Sequence, residues 1–144
     1  MTQTSRHHKD DVRISGRRGP ATTLRVASAL AVLAILWQGA TAGEMLMRSR
    51  ESFEFHEAGA VAVHVLTGLA AISAFLLWRA TRGPLWPVVV AVVVFVASFV
   101  QAALGGGETM WAHVPGALVL MLGAAAVLVW AVLPQLQGSS KRDR

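Results

Sequence analysis

Residues 85–104 read LWPVVVAVVVFVASFVQAAL, a run with no charged side chain. A helix rises about 1.5 Å per residue, so about twenty such residues cover the roughly 30 Å hydrocarbon core of a bilayer. The uncharged window around this run is 83–107, and three others, 26–43, 58–78 and 109–140, are equally dominated by Ala, Val, Leu, Ile and Phe. The pattern predicts an all-α, four-helix transmembrane bundle with spans at about Leu24–Ala42, His56–Trp78, Leu85–Leu104 and Trp111–Leu133. Pro84 and Pro87 mark the start of the third span, and Pro115 is expected in the first turn of the fourth.

Composition agrees with that reading. Of 144 residues, 54% are hydrophobic and 15% charged, and there is neither Cys nor Tyr. A soluble enzyme, a disulfide scaffold and thiolate chemistry are excluded on these grounds. Residues 1–22 are polar and basic, with Gly16, Gly19 and Pro20 expected to interrupt any helix, and read as a flexible cytoplasmic arm. Residues 23–134 form the bundle and 135–144 a cytoplasmic tail. The first apolar run is longer than the core of a signal peptide and is read as a span.

Charge asymmetry sets the expected orientation. Arg6, Lys9, Arg13, Arg17, Arg18, Arg25, Arg79, Arg82, Lys141, Arg142 and Arg144 fall on one side of a four-span chain. The other side holds only Arg48 and Arg50, beside Glu44, Glu51, Glu54, Glu57 and Glu108. Both termini are therefore expected in the cytoplasm of a cell (plasma or inner) membrane. This placement accounts for the basic charge without a nucleic-acid partner. Trp78, Trp86 and Trp130 then lie at the inner interface, with Trp37 and Trp111 near the outer one.

An internal repeat is legible. Span two opens with His56-Glu57-Ala58-Gly59-Ala60-Val61 and span four with His113-Val114-Pro115-Gly116-Ala117-Leu118. Upstream, Gln38-Gly39-Ala40 rhymes with Gln101-Ala102-Ala103. The chain reads as two pseudo-symmetric helical hairpins, with an insertion of six residues between Gln and His in the first.

The repeat sets His56 and His113 at matching depth, where two imidazoles from facing helices can ligate a metal between them, as in a haem clamped on both sides. Gly59 and Gly116, one turn deeper, either clear space for the ring or let helices pack closely. His64 lies about 12 Å deeper in span two, where an ionisable group needs a partner. Its expected roles are a bond to a Thr, Gln or backbone carbonyl, replacement of His56 opposite His113, or a second haem with its repeat-mate Met121. Arg48 and Arg50 are expected to pair with Glu51 and Glu54, or with an anionic group at the outer surface.

The run Gln101-Ala102-Ala103-Leu104-Gly105-Gly106 followed by His113, with His56 after an acidic stretch, resembles one four-helix half of the haem A synthase family. Residues 24–133 also resemble small four-span bacterial membrane proteins. The resemblance implies axial ligation of haem b by His56 and His113 on the extracytoplasmic side. It does not extend to oxidation of a haem methyl group, because that family joins two such halves in one chain and places its acidic residue differently from Glu51 and Glu54. An unpaired half, with small residues at Gly68–Ala71 and Gly123–Ala126, implies a homodimer or a membrane partner subunit. The competing expectation is a haem-free structural or accessory subunit.

A reporter fused after Arg144 or inserted after Arg82 is expected to read as cytoplasmic, and one near Arg48 as external. A cytoplasmic signal at Arg48 would overturn the orientation.

Overall fold

The computed structural model describes the backbone of residues 3–45 and 50–139, and side chains over 19–45 and 51–133. Four helices make up the described chain: α1 (Gln3–Met45), α2 (Arg50–Thr81), α3 (Trp86–Leu104) and α4 (Met110–Ser139), with a 3₁₀ turn at Gly107–Thr109 before α4. Each contains a segment long and apolar enough to cross a membrane, at Gly19–Met45, Glu51–Thr81, Trp86–Leu104 and Gly107–Leu133. The chain is thus an all-α, multi-pass membrane protein.

Several boundaries differ from the sequence expectation. Helical geometry in α1 passes through Gly16, Gly19 and Pro20, because a proline removes one backbone hydrogen bond while its fixed φ stays helical, which bends a helix more readily than it ends one. α2 begins ahead of His56, and α4 runs on to Ser139, past the expected end of the bundle at 134. Pro115 stands in the second turn of α4 rather than the first.

The helices stand in chain order around a square: α1 packs on α2 and α4, and α3 on α2 and α4. α2 and α4 are diagonal partners. The core is built from small side chains, Ala27, Ala31, Ala70, Ala74, Ala91 and Ala124 among them, while Val, Leu and Phe side chains cover the outside. In water that distribution would be inverted. In lipid the outer apolar surface costs nothing, and small residues let backbones approach to gain van der Waals contact. The two small-residue stretches expected at a partner surface divide, with Leu69 and Ala126 exposed. Ala70, Ala71 and Ala124 are buried in the bundle, and Gly68 and Gly123 give room to Phe95 and Val94 of α3.

Burial reproduces the repeat along the full length of the helices. Aligning Gln38 with Gln101 brings Leu24, Ser28, Ala31 and Ile35 of α1 onto Pro87, Ala91, Val94 and Ser98 of α3, every one of them buried. Aligning His56 with His113 brings Gly59 onto Gly116 and the buried Val63, Thr67, Ala70 and Ala74 onto the buried Leu120, Ala124, Val127 and Ala131. Two hairpins with the same buried stripes therefore close face to face.

The two ends differ in chemistry. At one, Trp78 and Trp130 pack on the cluster around Leu24, Ala74, Val88 and Ala131, and Arg25 Nε donates to the Ala131 carbonyl at 3.1 Å. Here the α2–α3 turn needs Arg82 at φ 52°, held by its own N–H bond to Trp78 O at 2.7 Å and by its guanidinium over the Trp78 ring. The other end carries the histidines.

Ala91→Leu, at a site 3% exposed, is expected to destabilise the bundle by about 1–3 kcal/mol through overpacking, and Val93→Leu on the lipid face to change little. Denaturant titration in detergent checks both, and equal effects would contradict the assigned core.

Candidate functional site

His56 in the second turn of α2 and His113 in the first turn of α4 face each other across the bundle. Their ring centres are 6.5 Å apart, with planes inclined at 57°. Diagonal placement of α2 and α4 makes this possible, since the two hairpins direct equivalent positions toward one axis.

Hydrogen bonding determines which ring nitrogen carries the proton. His113 Nδ1 lies 2.8 Å from the Gln101 carbonyl. A carbonyl only accepts, so Nδ1 is the donor and Nε2 keeps its lone pair. His56 Nδ1 lies 3.0 Å from Thr41 Oγ1. That hydroxyl also lies 3.1 and 3.2 Å from the carbonyls of Trp37 and Gln38, and it accepts from His56 Nδ1–H when its proton is directed to them. His113 thereby donates through Nδ1–H, and no hydrogen bond occupies Nε2 of either histidine among the described residues. Anchoring Nδ1–H on a carbonyl or hydroxyl is how proteins orient metal-ligating imidazoles.

Two glutamines complete the site, and the sequence reading assigns them no role beyond the rhyme. Gln38 Nε2 donates to the His56 carbonyl at 2.9 Å, and Gln101 Nε2 to the His113 carbonyl at 2.7 Å. The same bond thus ties each hairpin's first helix to the residue that carries its histidine. Gly59 and Gly116 make it possible. A Cβ at Gly59 would fall 2.5 Å from Gln38 Nε2, and one at Gly116 would collide with Gln101 Oε1. Of the two expectations for these glycines, close packing describes the present contacts: the space over each is filled by a glutamine amide.

The halves differ in one link. His113 bonds directly to the carbonyl of Gln101, whereas His56 reaches the carbonyl of Gln38 through Thr41. Thr41 carries no motif of its own and becomes visible only once α1 and α2 are packed. Beside it, Ser52 Oγ donates to Glu44 Oε2 at 3.1 Å, closing the start of α2 onto the end of α1.

His64 bonds a serine rather than the expected Thr, Gln or backbone carbonyl. Its Nδ1 lies 2.8 Å from Ser98 Oγ in the α2–α3 seam, and its ring stacks on Phe99 at 4.1 Å. Met121 packs instead against the cluster around Ile35. Among the described residues no three His, Asp or Glu side chains converge as a site for a bare metal ion. Arg48 and the side chain of Arg50 lie outside the described residues, and with them their expected pairing.

Gly116→Ala is expected to be more favourable in a Gln101→Ala background than in the unaltered chain, by about 1 kcal/mol. The helix-propensity gain of alanine over glycine is common to both backgrounds and cancels, whereas only with Gln101 present does the new methyl displace a hydrogen-bonded amide, a cost of about 1 kcal/mol. A double-mutant cycle on unfolding free energy checks this, and an additive cycle would refute the contact.

In comparisons with known proteins, no family model, curated protein or solved structure matches the chain.

Proposed function

We propose that this chain is a b-type haem protein of the cell membrane, serving electron transfer or haem handling, with iron held between His56 and His113 at the extracytoplasmic side and both termini in the cytoplasm. The observation that carries the reading is the facing pair of imidazoles, each with Nδ1 anchored by a hydrogen bond and Nε2 free of one among the described residues.

The donor set suits this group. His56 and His113 come from different hairpins with ring centres 6.5 Å apart, and would hold the iron as a pair of imidazole ligands. A bare divalent ion needs four or more ligands from the protein or solvent, whereas a porphyrin brings its own four nitrogens and asks only for an axial pair. Gly59 and Gly116 would leave the ring's edge free of Cβ atoms once the amides of Gln38 and Gln101 turn aside. Bound there, the group supplies one-electron transfer, its potential tuned by the ligands and their hydrogen bonds. Thr41 and the Gln101 carbonyl would hold the imidazoles in the ligating tautomer.

The second reading is a haem-free structural or accessory subunit. It is favoured by the glutamine amides, which already fill the space over both glycines. In that case each glutamine and histidine form a polar clamp within their own hairpin.

Reduced-minus-oxidised spectra of detergent-purified protein from haem-replete cells are expected to show a sharp low-spin band. His56→Ala and His113→Ala should each abolish most of it, and His64→Ala should leave it. A folded preparation without the band supports the clamp. Loss in His64→Ala with retention in His56→Ala would reassign the axial pair.

A further inference from the structure

The pseudo-symmetry of the hairpins makes one exception visible. Under the repeat, the α2–α3 seam maps onto the α4–α1 seam, so His64 corresponds to Met121 and Ser98 to Ile35. The second seam is closed by that apolar pair, Met121 packed against the cluster containing Ile35. Packing alone therefore does not call for a polar pair at this level of the fold, yet the first seam has one.

Its hydrogen bonds leave an acceptor over. Ser98 Oγ donates to the Phe95 carbonyl at 2.6 Å, so it accepts from His64 Nδ1–H at 2.8 Å. The lone pair of His64 is then on Nε2, for which there is no hydrogen-bond donor among the described residues. Ser28 Oγ is the one fully buried side-chain atom without a partner among those residues, so Nε2 retains accessible surface. Around it the seam is aromatic. The imidazole lies parallel to Phe99, 6° between planes, Phe99 meets Phe95 edge-on at 5.2 Å, and Phe95 fits over Gly68. Phe99 is 49% exposed on the outside of the bundle.

Depth narrows what can supply the missing proton donor. His64 stands about 21 Å along α2 from Trp78, which puts it well inside a hydrocarbon layer of about 30 Å bounded by the tryptophans. Water is scarce there, and sterol hydroxyls and lipid carboxylates stay at headgroup level. An unmatched acceptor at this depth is costly. A flat aromatic molecule that dissolves in the acyl region and carries hydroxyl groups matches both the acceptor and its aromatic surround.

We propose that the α2–α3 seam binds a hydroquinone from the lipid phase, a ring hydroxyl donating to His64 Nε2 and the ring lying among His64, Phe95 and Phe99. The site stands independently of haem at the histidine pair.

The test is the ¹⁵N spectrum of histidine-labelled protein in phosphatidylcholine nanodiscs, titrated with durohydroquinone under reducing conditions, and in parallel with its dimethyl ether. A saturable shift of the His64 Nε2 resonance, assigned by its loss in His64→Met, is expected with the hydroquinone and not with the ether. No shift, an equal shift with the ether, or a shift confined to His56 and His113 overturns the proposal. His64→Met with Ser98→Ile, which rebuilds this seam on the pattern of the other, should bind at least about tenfold more weakly when both proteins are read by saturation transfer to the durohydroquinone methyl protons, the loss of roughly one hydrogen bond. Unchanged affinity in that variant also overturns it. Should the variant fail to fold, the comparison of hydroquinone with ether on the unaltered chain decides alone.

Discussion

A glutamine amide placed between membrane helices has little water to turn to, and this bundle meets that constraint twice in the same way. Gln38 and Gln101 each reach across to the carbonyl of a histidine on the following helix, over a glycine that leaves the space for them. Each bond fixes the rotation and height of one helix against the next in its hairpin. With both hairpins set alike, the histidines arrive at one level and face each other. Were either glutamine apolar, the carbonyl would still have its helical partner, but nothing polar would fix the register of a helix whose other contacts are mostly Ala and Val.

Apolar packing in lipid is permissive, which is why so few polar contacts matter so much. Outside surfaces and core are both hydrophobic, so burial alone discriminates weakly between rotated or shifted arrangements of a helix. Small side chains along the buried stripes set how closely the helices approach. The hydrogen bonds of Gln38, Gln101, His56, His113 and the His64–Ser98 pair then select one arrangement. The Arg25 bond to Ala131 does the same at the tryptophan end.

Pseudo-symmetry gives the molecule a built-in comparison. Positions that agree between the halves, such as Gly59 with Gly116, carry what the fold needs. Positions that disagree carry what only one seam does, and the clearest is His64 with Ser98 against Met121 with Ile35. Thr41 is a milder case: it links His56 to the Gln38 carbonyl, where His113 bonds the Gln101 carbonyl directly.

Four spans, the helical class and the existence of a repeat were legible from the chain itself, because a bilayer imposes a minimum length of apolar residues and leaves charge only at the ends. His56, His113 and the two glycines could be singled out by their spacing within the repeat. Their geometry could not, since HxxGA fixes a position along a helix and says nothing about which way that helix is turned. The role of the glutamines, the tautomer of His113 and the choice of Ser98 as the partner of His64 all depend on contacts between residues far apart in the chain. Gly16, Gly19 and Pro20 show the reverse limit, local signals for a break that the helix passes through. Packing of four helices into a square decided which of the apolar positions became core, because in lipid the sequence pattern of an inward and an outward face is nearly the same.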